Sequence, residues 1–123
     1  MASDKILIVD DSPVFLAELK ALIASSGYEV FAASSGAEAI RVAEGRADIG
    51  LLICDFNMPG IDGCETVIAI KKIAAYAQLK SLILTTESSP QLMSAGRKAG
   101  VFGWIVKPFK GDDVLKVIHM LVK

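Results

Sequence analysis

Short runs of uninterrupted apolar residues alternate along this chain with longer stretches in which apolar positions recur every three to four. The runs are Lys5–Asp10 (KILIVD), Glu29–Ala33, Ile49–Asp55 (IGLLICD), Ser81–Thr86 (SLILTT) and Phe102–Val106, and each has the length of a buried strand. Between them the spacing predicts helices. Pro13 follows Ser12 as at a first helical turn, Val14, Leu16, Leu19, Leu22 and Ile23 repeat to Ser26, and Gly27 stops the pattern. Ser35 predicts an N-cap for a helix over Gly36–Glu44, with Glu38 three residues on in the capping-box position. A third helix is predicted from about Cys64 to Ala77, with Val67, Ile70, Ile73 and Ala74 on one side. Ser89 and Pro90 open a fourth that Gly100 closes. Asp112 and Asp113 begin a fifth, where negative charge suits the helix dipole, and Val114, Leu115, Ile118 and Leu121 form its apolar face.

Five strands alternating with five helices read as an α/β fold. Strands without polar alternation need cover on both faces, which a parallel sheet between two helix layers provides. Right-handed crossovers distribute the helices to both sides. In such folds the functional site lies beyond the C-terminal ends of the strands. Asp10, Asp55, Thr85 and Lys107 all fall at or just past such an end, so four separate segments are expected to bring them to one rim.

The chain has 123 residues, 53% of them hydrophobic, which suits a single domain over residues 1–123 with a core of its own. A net charge of -1 with no block of like charge gives no footing for nucleic acid or an anionic membrane. No run of about 18 apolar residues is present, and the first apolar run ends in two aspartates, unlike a secretory leader. A cytoplasmic protein is expected. Cys54 and Cys64 read as buried thiols, and cysteine and histidine are too few for structural zinc.

The carboxylates change the picture most. Asp10, Asp11 and Asp55 gathered at one rim repel each other by about 4 kcal/mol per pair at 4 Å and an effective dielectric near 20. Such a cluster calls for a cation. An all-oxygen donor set suits Mg²⁺, which keeps waters and partners phosphate. Lys107 adds a fixed cation that can pair with a carboxylate at rest and with a phosphoryl oxygen after transfer, and Thr85 adds a hydroxyl. A nucleophilic carboxylate, a metal, a lysine and a hydroxyl together suit phosphoryl transfer.

The segments ILIVDDS, ICDFNMPGIDG, LILTTE and VKPF, in this order and spacing, resemble the receiver domain of two-component response regulators, above all its stand-alone, CheY-like chemotaxis form. The resemblance runs from about Lys5 to Lys123. It implies a doubly wound, flavodoxin-like sheet of order 2-1-3-4-5. It implies that Asp55 is the phospho-acceptor, that Asp11 ligates Mg²⁺ directly with Asp10 reaching it through water, and that Asn57 lends a backbone carbonyl. It makes Thr85 the switch hydroxyl, Lys107 the salt-bridging lysine and Lys107–Pro108 a cis peptide, with Pro59 and Gly63 shaping the loop after the acceptor. Asn57 and Glu87, two past the acceptor and two past the threonine, are the pair carried by fast-dephosphorylating chemotaxis regulators, implying a phosphoryl lifetime of seconds to minutes. Trp104 stands where the family carries tyrosine or phenylalanine. It is counted with Thr85 as a switch residue, although indole is larger than phenol and lacks an acceptor oxygen.

The resemblance further implies a phospho-accepting switch rather than a turnover enzyme, monomeric, fed by a histidine kinase or phosphotransfer protein. Its downstream target would meet the fourth helix, fifth strand and fifth helix, around Gln91–Ala99, Trp104 and Lys110–Lys123. The chain ends after the fifth helix, so output through protein contacts is expected. A role as phosphorelay intermediate or as the receiver module of a hybrid kinase is the alternative to chemotaxis. A flavodoxin-like cofactor binder would instead need a glycine-, serine- or threonine-rich cradle after the first strand, where this chain has DDSPVF. A haloacid-dehalogenase-type hydrolase would need an acid where Asn57 stands. His119 reads as a solvated or partner-facing side chain.

Overall fold

A computed structural model describes residues 4–86 and 89–122. Five parallel strands, β1 (Lys5–Val9), β2 (Glu29–Ala33), β3 (Leu51–Asp55), β4 (Lys80–Thr85) and β5 (Gly103–Val106), form one sheet in the order β2-β1-β3-β4-β5. The helices α1 (Pro13–Ala24), α2 (Gly36–Glu44), α3 (Gly63–Lys71), α4 (Pro90–Ala99) and α5 (Gly111–Val122) connect them. This is the doubly wound architecture expected from the apolar runs.

Side chains two apart on a strand share a face, and the sheet divides its apolar residues accordingly. Ile6, Ile8, Leu51, Ile53, Leu82 and Leu84 point to the side covered by α1 and α5, where Leu19, Ile23, Val114 and Ile118 meet them. Leu7, Val9, Leu52, Cys54 and Ile83 point to the opposite side, under Ala39 and Ala43 of α2 and Val67 and Ile70 of α3. The central strands are therefore buried on both faces, the condition their uninterrupted apolar sequence requires.

Helix starts follow short polar side chains. Ser12, Ser35 and Ser89 each accept the backbone N–H three residues on. At Ser35 the expected reciprocal half is missing, because the Glu38 carboxylate takes the backbone N–H and hydroxyl of Ser34 instead. The complete capping box lies at α3, where Asp62 accepts from Glu65 N (2.8 Å) and Glu65 accepts from Asp62 N (2.9 Å).

The third helix is shorter than its sequence predicts. α3 stops at Lys71, Ile73 is extended, and a 3₁₀ turn follows over Ala74–Tyr76. Carried on as one helix, Tyr76 would sit about 120° around the axis from buried Ile70. The break re-aims it, and Tyr76 and Leu79 both enter the core. Val14 also departs from expectation, being exposed at the start of α1, and Leu115 is only half-buried while Val122 is buried.

Candidate functional site

Parallel pairing puts the C-terminal ends of β1, β3, β4 and β5 on one edge. Val9 is level with Cys54, Asp55 with Leu84, and Thr85 with Val106. Asp10, Asp55, Thr85 and Lys107 thus leave the sheet within a residue or so of a common depth. Phe56 N donates to Leu84 O and Lys107 N to Thr85 O (2.9 and 2.7 Å), extending the pairing into the loops that follow β3 and β5.

Asp10 and Asp55 are buried and Asp11 is exposed; one oxygen from each lies within 4.8 Å of the others. Lys107 Nζ reaches Asp10 Oδ2 at 3.1 Å and Asp55 Oδ1 at 3.3 Å. The other Asp10 oxygen accepts the Ser12 N–H at 2.9 Å. Both Asp10 oxygens are therefore engaged, whereas Asp55 has a second oxygen for which no protein partner is seen among the described residues. Burial, then the neighbouring Asp10 charge, pushes the Asp55 carboxyl above the ordinary range; Lys107 pulls it back, and Asp11 adds to the upward push. Three carboxylates against one lysine leave a net negative pocket.

That donor set fits Mg²⁺. It offers only hard oxygens, its centre is compact, and the exposure of Asp11 leaves one side open to water. Asp11 and Asp55 would hold the ion, with Asp10 behind them.

The loop after β3 is shaped by two glycines for different reasons. Gly60 takes a left-handed conformation at φ 82°. A Cβ on Gly63 would stand 2.6 Å from Asp55 O, so only glycine lets α3 begin this close to the end of β3. Asn57 and Pro59 are exposed in this loop and Met58 is half-buried. Thr85 is buried at the end of β4, and the Lys107–Pro108 peptide is cis. Glu87 lies outside the described residues.

Trp104 is partly buried and packs on the core beneath α2 and α3. Its ring lies so close to α4 that a Cβ on Gly96 would stand 2.2 Å from its Cζ2. The larger indole is accommodated by removing a side chain from the facing helix. Sequence reasoning had no access to this pairing, because a lone helical glycine names no partner. It also passed over Phe15, whose ring centre lies 4.1 Å from Lys107 Nζ. His119, on the exposed side of α5, pairs through Nδ1 with the Tyr28 hydroxyl.

Fold and site together define a doubly wound α/β protein with an acidic, lysine-bridged pocket at the carboxyl edge of its sheet. The family profile described as "Response regulator receiver domain" matches residues 6–119, and the chain belongs to this family of two-component signalling modules. It is 35% identical over 113 residues to the chemotaxis protein CheY1 of Helicobacter pylori, covering 91% of this chain and 90% of that one. It is 38% identical over 124 residues to the transcriptional regulatory protein PrrA of Mycobacterium tuberculosis, covering all of this chain and 52% of that one. Among solved structures, chemotaxis protein CheY4 of Vibrio cholerae superposes with a TM-score of 0.92 at 36% identity, over 98% of this chain and 99% of that one. The receiver domain of the sensor histidine kinase PA1611 from Pseudomonas aeruginosa, with a TM-score of 0.88 at 25% identity over 98% of each chain, has a magnesium ion coordinated in its active-site cleft. Among the described residues no helix is long and apolar enough to cross a membrane.

Proposed function

We propose that this receiver accepts a phosphoryl group on Asp55 and uses it to reset a protein-binding face. The observation that carries the reading is the Asp55 carboxylate, held by Lys107 through one oxygen and beside Asp10 and Asp11. An Asp55 oxygen bonds to phosphorus while the bond from phosphorus to the donor breaks, and that electron pair leaves with the donor. From a histidine kinase or phosphotransfer protein the leaving group is imidazole; from acetyl phosphate it is acetate.

Bound Mg²⁺ supplies charge neutralisation for the phosphoryl oxygens. Asp11 and Asp55 would hold it, with Asn57 and Asp10 completing the set of oxygen donors around it. Lys107 gives up a carboxylate contact for a phosphoryl oxygen, and the Thr85 hydroxyl turns toward the same group. Asn57 and Glu87 tune loss of the phosphoryl group to water. The protein is a switch that promotes only its own phosphorylation and dephosphorylation.

The face that changes is α4, β5 and α5. A groove of about 620 Å³ there is lined by Trp104, Val106, Pro108, Asp113 and Val117, directly beside Thr85 and Lys107 in sequence and register. Trp104, seated on Gly96, transmits the change to α4. A monomeric, cytoplasmic chemotaxis regulator is the favoured setting, supported by the near full-length match to CheY1. The match to PrrA keeps other two-component outputs as the second reading.

Incubation with Mg²⁺ and acetyl phosphate followed by intact mass tests the chemistry. One phosphoryl group is expected on the wild type and none on Asp55→Asn; equal labelling of both would refute the assignment. Beryllofluoride should change the emission of Trp104, the only tryptophan. Unchanged emission at saturation would remove Trp104 from the switch.

A further inference from the structure

We infer that Phe15 is a positioning residue for Lys107, its ring face holding the ammonium where it meets Asp10 and Asp55 together. The inference rests on the proposed role of Lys107 at the phosphoryl-acceptor site.

An ammonium on a flexible four-carbon stem has three N–H directions and considerable rotamer freedom. In this protein two carboxylates take Nζ at 3.1 and 3.3 Å, and the Phe15 ring lies 4.1 Å away. That distance is well within cation–π range. The ring is itself fixed. Phe109, two residues beyond Lys107, meets it edge-on with centroids 5.8 Å apart and planes at 77°. Both rings pack on the core beneath α1 and α5. The segment 10–15 consequently does two jobs. Asp10 supplies a charge partner for Lys107, and Phe15, in the first turn of α1, supplies a ring face.

The chemistry of that face matters. A third carboxylate there would hold the ammonium against an incoming phosphoryl group. A bare aliphatic wall would shed water but attract nothing. A π face draws the cation without offering an oxygen that competes with phosphate, so Lys107 can exchange a carboxylate for a phosphoryl oxygen while staying on the ring.

The test is the rate of Asp55 phosphorylation by acetyl phosphate at saturating Mg²⁺. Phe15→Leu keeps the apolar volume and removes the ring, and should slow the reaction about threefold to tenfold. Phe15→Trp should recover to within about twofold of wild type, because indole is the stronger cation–π partner. Site-specific mono-, di- and trifluorophenylalanine at position 15 preserve shape while draining the ring face of electron density, and the logarithm of the rate should fall in step with fluorination. A purely structural role would leave that series flat even if the leucine variant were poorly folded. A flat fluorinated series on a wild type that is phosphorylated overturns this inference alone. A wild type that gains no phosphoryl group overturns it together with the assignment of Asp55.

Discussion

The carboxyl at position 55 is largely removed from water beside two charges of its own sign, with one lysine to offset them. Its protonation equilibrium records that conflict. Burial and Asp10 raise its pKa in the folded protein, so the unfolded chain gives up this proton at lower pH than the folded one. Folding stability without Mg²⁺ should therefore fall as pH rises from the ordinary carboxylate range near 4 through the raised folded value, and stay reduced above it. Asp55→Asn lacks the ionisation. In metal-free urea melts it should match wild type near pH 3 and exceed it at pH 7. A wild type that is the more stable at pH 7 would show that Lys107 overrides burial. Lys107→Met should deepen that loss: two buried carboxylates lose their shared cation, destabilising the metal-free protein by about 3 kcal/mol, measurable as a lowered urea midpoint at pH 7.

Elements act through the places where they approach one another. α4 can lie against Trp104 only because position 96 has no side chain. Gly96→Ala places a methyl 2.2 Å from the indole, so the ring must move. Overpacking costs about 1–3 kcal/mol and the gain in helix propensity returns about 1. A modest loss in urea stability with a red-shifted emission maximum is expected, and an unchanged emission spectrum would mean that the ring is not seated on this helix. The α3 start is set by the reciprocal Asp62–Glu65 cap. Asp62→Ala should cost about 1 kcal/mol in equilibrium unfolding. The cap was missed in the sequence because FNMPGIDG reads as loop, and the same D-x-x-E spacing signals a helix only once the chain is known to turn there. The Ser35–Glu38 spacing was legible, yet Glu38 reached one residue further to Ser34, since exposed side chains of this length have several backbone donors in range.

For the whole molecule, folding and ligand binding share one account. Only the native sheet brings Asp10 and Asp11 beside Asp55, which lies on another strand's end, so an ion held among them would bind the folded chain in preference to the unfolded one. At about ten times its dissociation constant the ion should add about 1.4 kcal/mol of stability, raising Tm by roughly 5 °C for a domain of this size. Thermal melts with and without Mg²⁺ check this. Asp11→Asn should remove most of the rise, and a full rise in that variant would place the ion elsewhere.

The sequence by itself determined the strands, the layering and the depth of the site. Apolar runs of strand length and helical repeats are local patterns, and the parallel fold they require brings Asp10, Asp55, Thr85 and Lys107 to one edge. What only the tertiary structure decided are pairings between side chains far apart in sequence: Phe15 on Lys107, Trp104 on Gly96, and Tyr76 turned into the core by a broken helix. None of these has a periodicity. Each depends on which rotamer and which few ångströms of space remain after the layers have packed, and those are properties of contacts rather than of spacing.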